Sequence, residues 1–160
     1  MTVDEIFSAM DPRPKYDSQY DGLFNRFARV LKRNQLYMIA FMIGIHLDKC
    51  NPITRGNVTK DVYPLNLWNP RSQRDAVYYL LLKRSNKWRI PFEWKNLDNA
   101  DDELFMAFKQ EFGKAMDGFA NAGLEYIQTR VSGDSIYFNQ PFALIDLLVE
   151  VAKSNIQVQQ

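Results

Sequence analysis

The sequence predicts a mainly α protein, a compact single-domain bundle of five or six helices with one long loop and at most a short β element. Three observations carry that prediction. Apolar residues recur at helical spacing over several long stretches. The longest apolar run, residues 36–47, is only about a dozen residues, whereas a membrane-spanning helix needs ~20. The chain has 160 residues, 46% hydrophobic and 14% aromatic, which suffices for one core of ordinary domain size.

Taken in order, residues 4–10 form a short helix, ended by Asp11-Pro12-Arg13-Pro14, because proline lacks an amide proton and drives its predecessor out of helical geometry. Over 18–33, Leu23, Phe27, Val30 and Leu31 share one helical face, and Arg26, Arg29 and Arg33 recur on the opposite one. Asn34 interrupts this helix. Residues 35–48 then give a helix apolar on most sides, packed antiparallel to its predecessor because the connection is short. Residues 50–69 read as a long loop broken by Pro52, Gly56, Asn57 and Pro64, with one short extended piece within 58–67. A helix over 70–85 starts at Asn69-Pro70 and carries Val77, Leu80 and Leu81 at helical spacing. Residues 88–94, rich in aromatics and broken by Pro91, read as a lid.

A long helix over 102–131 begins with Asp101, Asp102 and Glu103, where a helix N-terminus favours negative charge, and continues through Phe105, Phe108, Phe112, Met116 and Phe119. Gly113, Gly118 and Gly123 recur every five residues and so fall on different faces. At least one therefore marks a bend, a break or a close helix contact. Residues 136–138 suggest a short strand. Residues 141–152 form the last helix, with Leu144, Leu147, Leu148 and Val151 inward, and 156–160 are a frayed tail. The domain is thus expected to span 1–155.

Composition excludes several function classes. The formal charge of +1 and 22 aromatic residues argue against intrinsic disorder. Cys50 is the only cysteine and His46 the only histidine, so neither an intrachain disulfide nor a zinc site built from four Cys and His ligands can form. No cofactor is implied. The opening Met1-Thr2-Val3-Asp4-Glu5 lacks the basic residues of a leader, which makes a cytoplasmic protein without a membrane segment the expectation. The phosphate-cradling glycine motifs and the serine nucleophile elbow are also missing.

Chemistry-bearing residues are few. His46 lies in an apolar helix and reads as structural. Cys50, four residues on, sits where a helix end disfavours a thiolate. Glu93-Trp94-Lys95 matches the Glu-x-Lys half of a Mg²⁺-dependent nuclease signature, in which a carboxylate holds the metal and lysine orients water. It follows Pro91 without a strand pattern around it.

Charge is balanced overall and uneven locally. Residues 11–60 hold nine Lys/Arg against four Asp/Glu, 71–95 seven against two, and 96–125 two against seven. Such blocks are most often solvated faces that complement one another. Alternatively, the basic face Arg26, Arg29, Lys32 and Arg33, extended by Arg55, Lys60, Arg71 and Arg74, tracks a phosphate backbone.

Residues 40–45 (Ala-Phe-Met-Ile-Gly-Ile), the 48–64 loop with Asn51-Pro52, and Phe119-Ala120-Asn121-Ala122-Gly123-Leu124-Glu125 resemble small accessory proteins encoded beside bacterial DNA phosphorothioation (Dnd-type) systems. The likeness spans residues 22–130 in layout. It differs in having Phe119 for a tyrosine and Ala122 for a glycine. The resemblance implies a role in host defence against phage and carries over no catalytic residue. The function expected is a non-enzymatic adaptor that binds a protein partner, with DNA as a further ligand. Trp68, Trp88, Arg89 and Trp94 would anchor the partner, because aromatics and arginine dominate interface energetics. The competing readings are a Mg²⁺-dependent nucleic-acid enzyme using Glu93 and Lys95, and a structural homo-oligomeric subunit.

Overall fold

The fold is described from a computed structural model of the chain, covering the backbone of residues 2–88, 93, 97 and 101–158, with side chains through residue 154. Among these residues, six α-helices and one two-stranded sheet make a mainly α protein. The helices are α1 (Val3–Met10), α2 (Asp21–Phe27), α3 (Arg33–His46), α4 (Arg71–Leu82), α5 (Asp102–Gly133) and α6 (Ala143–Val158). No described helix is long and apolar enough to cross a membrane. The chain divides into two compact units, each made of two stretches: Met1–Pro14 with Tyr63–Met116, and Lys15–Val62 with Asp117–Gln160.

The first unit is organised by α1 and α4. Thr2 and Glu5 cap α1 reciprocally, the Thr2 hydroxyl accepting from the Glu5 amide at 3.2 Å and the Glu5 carboxylate from the Thr2 amide at 2.6 Å. The helix ends at Asp11, which turns into the left-handed region at φ 36°. Ile6, Phe7 and Met10 are thereby buried. Phe7 stacks on Tyr78 of α4 at 3.8 Å, and the Tyr78 hydroxyl donates to the Phe7 carbonyl at 3.0 Å. A buried tyrosine needs such an acceptor. Phe112 closes the cluster 5.0 Å from Tyr78.

In the second unit, β1 (Lys15–Asp17) pairs antiparallel with β2 (Thr59–Asp61), with Tyr16 opposite Lys60. The extended piece expected within 58–67 is β2; its partner was not foreseen. Tyr16 is buried against Phe24 of α2, the rings stacked at 3.8 Å. The core of this unit is the packing of α3 against α5 and α6.

The α3–α5 crossing brings backbone against backbone. A β-carbon on Gly44 would run into the Phe119 carbonyl group, and one on Gly123 into the Ala40 carbonyl group. Hydrogen in place of a side chain is what permits the approach. Gly118 likewise faces the Cys50 sulfur and the chain at 51–52, where the Asn51 amide donates to the Gly118 carbonyl at 2.9 Å. Two of the three evenly spaced glycines thus mark close contacts, and α5 runs through all three without a break.

Several boundaries differ from expectation. The helix expected over 18–33 is a 3₁₀ turn, Ser18–Tyr20, followed by α2, which stops at Phe27. Residues 136–138 are not a strand, because the chain forms a 3₁₀ turn over Tyr137–Asn139, held by Asp134 accepting from the Tyr137 amide at 3.1 Å. The last helix continues to Val158.

The crossing predicts opposite outcomes for two glycine substitutions in one helix. Gly123→Ala forces α3 and α5 apart and lowers stability by about 1–3 kcal/mol in denaturant unfolding. Gly113→Ala meets nothing within 4 Å and gains helix propensity, leaving stability unchanged or raised by up to ~1 kcal/mol. Equal effects of the two would contradict the close crossing.

Candidate functional site

The basic residues do not share a helix face, because the chain turns after Phe27. The Val30 and Leu31 amides both donate to the Phe27 carbonyl, at 3.0 and 2.9 Å, and Lys32 is extended (φ −70°, ψ 158°) before α3 begins. Gln35 reaches back to accept from the Lys32 amide at 2.8 Å and so starts the new helix. Arg26 therefore ends α2, Arg29 lies in the turn, and Lys32 and Arg33 open α3.

Their electrostatic states also differ. The Arg26 Nη2 donates to the Ser135 carbonyl and, at 3.0 Å, to the Asn139 side chain. Lys60 pairs with Asp21 at 2.6 Å, and this bond, joined by one from the Tyr16 hydroxyl at 2.8 Å, holds the Asp21 carboxyl below its ordinary value. Arg71 pairs with Asp4. Arg74 is only 7% exposed and pairs with Asp75 at 2.7 Å. Arg71 and Arg74 belong to the first unit and the other six to the second. Arg29, Lys32 and Arg55 make no ion pair among the described residues and are exposed, as is Arg33.

Of the expected partner anchors, Trp68 and Trp88 fall among the described residues. Trp68 is 4% exposed, with its indole N–H donating to the Tyr63 carbonyl at 2.8 Å, so it is part of the first unit's core. Trp88 is half-buried, edge-on to Phe112 at 6.0 Å. Arg89, Trp94 and Lys95 lie outside the described residues, and Glu93 is exposed. His46 is half-buried at the end of α3. Burial raises the Cys50 thiol above its ordinary value. No group of three or more His, Cys, Asp or Glu among the described residues is placed to hold a metal.

Two features were not anticipated. The first is a buried acid. Asp117, 6% exposed in the middle of α5, has one carboxyl oxygen accepting from the Tyr37 hydroxyl at 2.6 Å and from the Lys15 amide at 3.1 Å. Burial pushes its carboxyl up to about 7, against these two hydrogen bonds, which favour the charged form. Burial, reinforced by the Asp117 charge, likewise lifts the Tyr37 hydroxyl well above its ordinary value. The sequence signal was a lone acid between Met116 and Gly118 in an otherwise apolar stripe.

The second feature is an uncovered apolar row beside a small cleft. Phe142, Ile145 and Val149 are 71%, 49% and 45% exposed, and Ile136 in the preceding turn is 81% exposed. Phe142 is already in phase with α6, since its carbonyl accepts from the Asp146 amide at 2.9 Å. The spacing i, i+3, i+7 puts the three on one stripe, opposite buried Ala143, Leu144, Leu147 and Val151. Polar pairs border one side of the row: Arg130 with Glu150 at 2.9 Å, and the Tyr137 hydroxyl donating to Asp146 at 3.0 Å. The cleft, about 170 Å³, lies between the turn after α2 and residues 138–141.

Asp117 yields a pH prediction. Its folded-state carboxyl is raised, so the folded chain holds a proton that the unfolded chain releases near pH 4. The stabilisation is full below that pH and is lost progressively up to about 7, amounting to at most on the order of 4 kcal/mol. Asp117→Asn retains the single accepting oxygen and removes the titration. The difference between wild-type and variant unfolding free energies should change over pH 4–7 and be flat above it; parallel profiles would contradict the assignment.

No family model, curated protein or solved structure matches this chain.

Proposed function

We propose that the chain is a non-catalytic accessory protein that binds a protein partner through its second unit, with DNA as a further ligand, in the cytoplasm of a bacterium defending itself against phage. The observation that carries the partner reading is the exposed row on α6. A helix with one side in the core normally presents a polar outer side, and an exposed apolar stripe rimmed by polar pairs is the form that interaction surfaces take. Phe142 and Ile136 are the natural anchors.

The DNA reading draws on Arg29, Lys32, Arg33 and Arg55, which are exposed. Arg26, Lys60, Arg71 and Arg74 already hold protein acceptors, which reduces the charge available to a phosphate backbone. The defence setting rests on the sequence resemblance.

The test is affinity purification of the tagged chain from the organism that encodes it, with and without nuclease, comparing wild type with the double variant Phe142→Ser/Val149→Ser. A defined protein recovered by wild type after nuclease treatment and lost from the variant is the expected result. Identical recovery by both, or recovery of nucleic acid alone, would overturn the partner reading.

A further inference from the structure

The cleft beside the apolar row has a composition that specifies its occupant. Phe27 and Phe138, 5% and 3% exposed, form its floor with Pro141, and Val30 stands at its edge 52% exposed. Arg26 and Arg29 line the same opening. Arg26 is oriented in advance, because both of its bonds use Nη2, while Nε and Nη1 have no partner among the described residues. The carboxylates nearest in sequence already hold donors: Asp21 from Lys60 and the Tyr16 hydroxyl, Asp134 from the Tyr137 amide, Asp146 from the Tyr137 hydroxyl and Glu150 from Arg130. Among the described residues neither Arg26 nor Arg29 pairs with a carboxylate, so both guanidiniums can meet an external anion.

Size and polarity narrow the choice. Pockets for whole small molecules run to about 300–1,000 Å³. At about 170 Å³ this cleft is smaller and suits a single side chain. An apolar floor is wasted on a phosphate backbone, and guanidiniums match carboxylates as well as they match phosphates, Arg29 bidentately and Arg26 through Nε or Nη1, so the floor decides for a peptide. Resting on the partner reading above and naming the partner's chemistry, we propose that this cleft receives an acidic segment of the partner protein, one apolar side chain seated between Phe27 and Phe138 and flanking carboxylates held by Arg26 and Arg29.

The test is a ¹⁵N NMR titration of the full chain with the peptide acetyl-Asp-Glu-Phe-Asp-Glu-amide, its analogue with lysine at every acidic position, and a single-stranded DNA 12-mer. The acidic peptide should shift the amides of residues 26–30 and 138–140 selectively. Arg29→Glu, at an exposed position that leaves the fold intact, should weaken it about tenfold, and replacing the peptide's Phe by Ser should weaken it similarly. No shifts at these residues with millimolar peptide, equal binding of the lysine analogue, or tighter binding of the DNA at the same residues would overturn the assignment. If the peptide fails while Phe142→Ser/Val149→Ser still abolishes partner recovery, only the acidic-segment assignment falls; if both fail, the partner reading falls with it.

Discussion

Two carbonyl groups meeting two missing side chains set the geometry of the second unit. Gly44 faces the Phe119 carbonyl and Gly123 the Ala40 carbonyl, so α3 and α5 approach backbone to backbone. Close approach of this kind turns a small steric fact into a positional one: every side chain of α3 is fixed relative to α5 by main-chain contact rather than by flexible packing. Tyr37, seven residues before Gly44, is thereby held against Asp117, six before Gly123, and their hydrogen bond at 2.6 Å ties the same two helices together. The edge-on pair of Phe41 and Phe119 lies within that crossing.

The surface follows from this arrangement. With α3 committed to α5 and α6, the inner side of α6 is used up by Ala143, Leu144, Leu147 and Val151. Phe142, Ile145 and Val149 then have nowhere to go but outward. The turn after Phe27 places Arg26 and Arg29 on the opening against residues 138–141, and the buried phenylalanines on its floor come from the same two segments.

The helical architecture was legible in the sequence wherever apolar periodicity was strong: α1, α3, α4 and α5 fall close to the expected 4–10, 35–48, 70–85 and 102–131. What periodicity could not register was a change of direction. Leu23 and Phe27 are buried and Leu31 is half-buried at the same spacing beyond the turn, so the break after Phe27 left no trace in the pattern, and the arginines seemed to share a face that does not exist. The strand Lys15–Asp17 was equally hidden, since a three-residue edge becomes a strand only through a partner 44 residues away. Trp68 illustrates a different limit. Its residue type suggests an interface, yet only tertiary placement decides between anchor and core.

The outward row on α6 was partly visible, since that helix is apolar around most of its circumference, but burial alone distinguishes its inner stripe from its outer one. The most direct trial of the account replaces Phe142 with a photo-crosslinking phenylalanine analogue in the organism that encodes the protein, with Gln110 as the exposed control site. One discrete adduct with a different protein, formed from position 142 and absent from position 110, is the expected result. No adduct, or an adduct of the chain with itself, would contradict it.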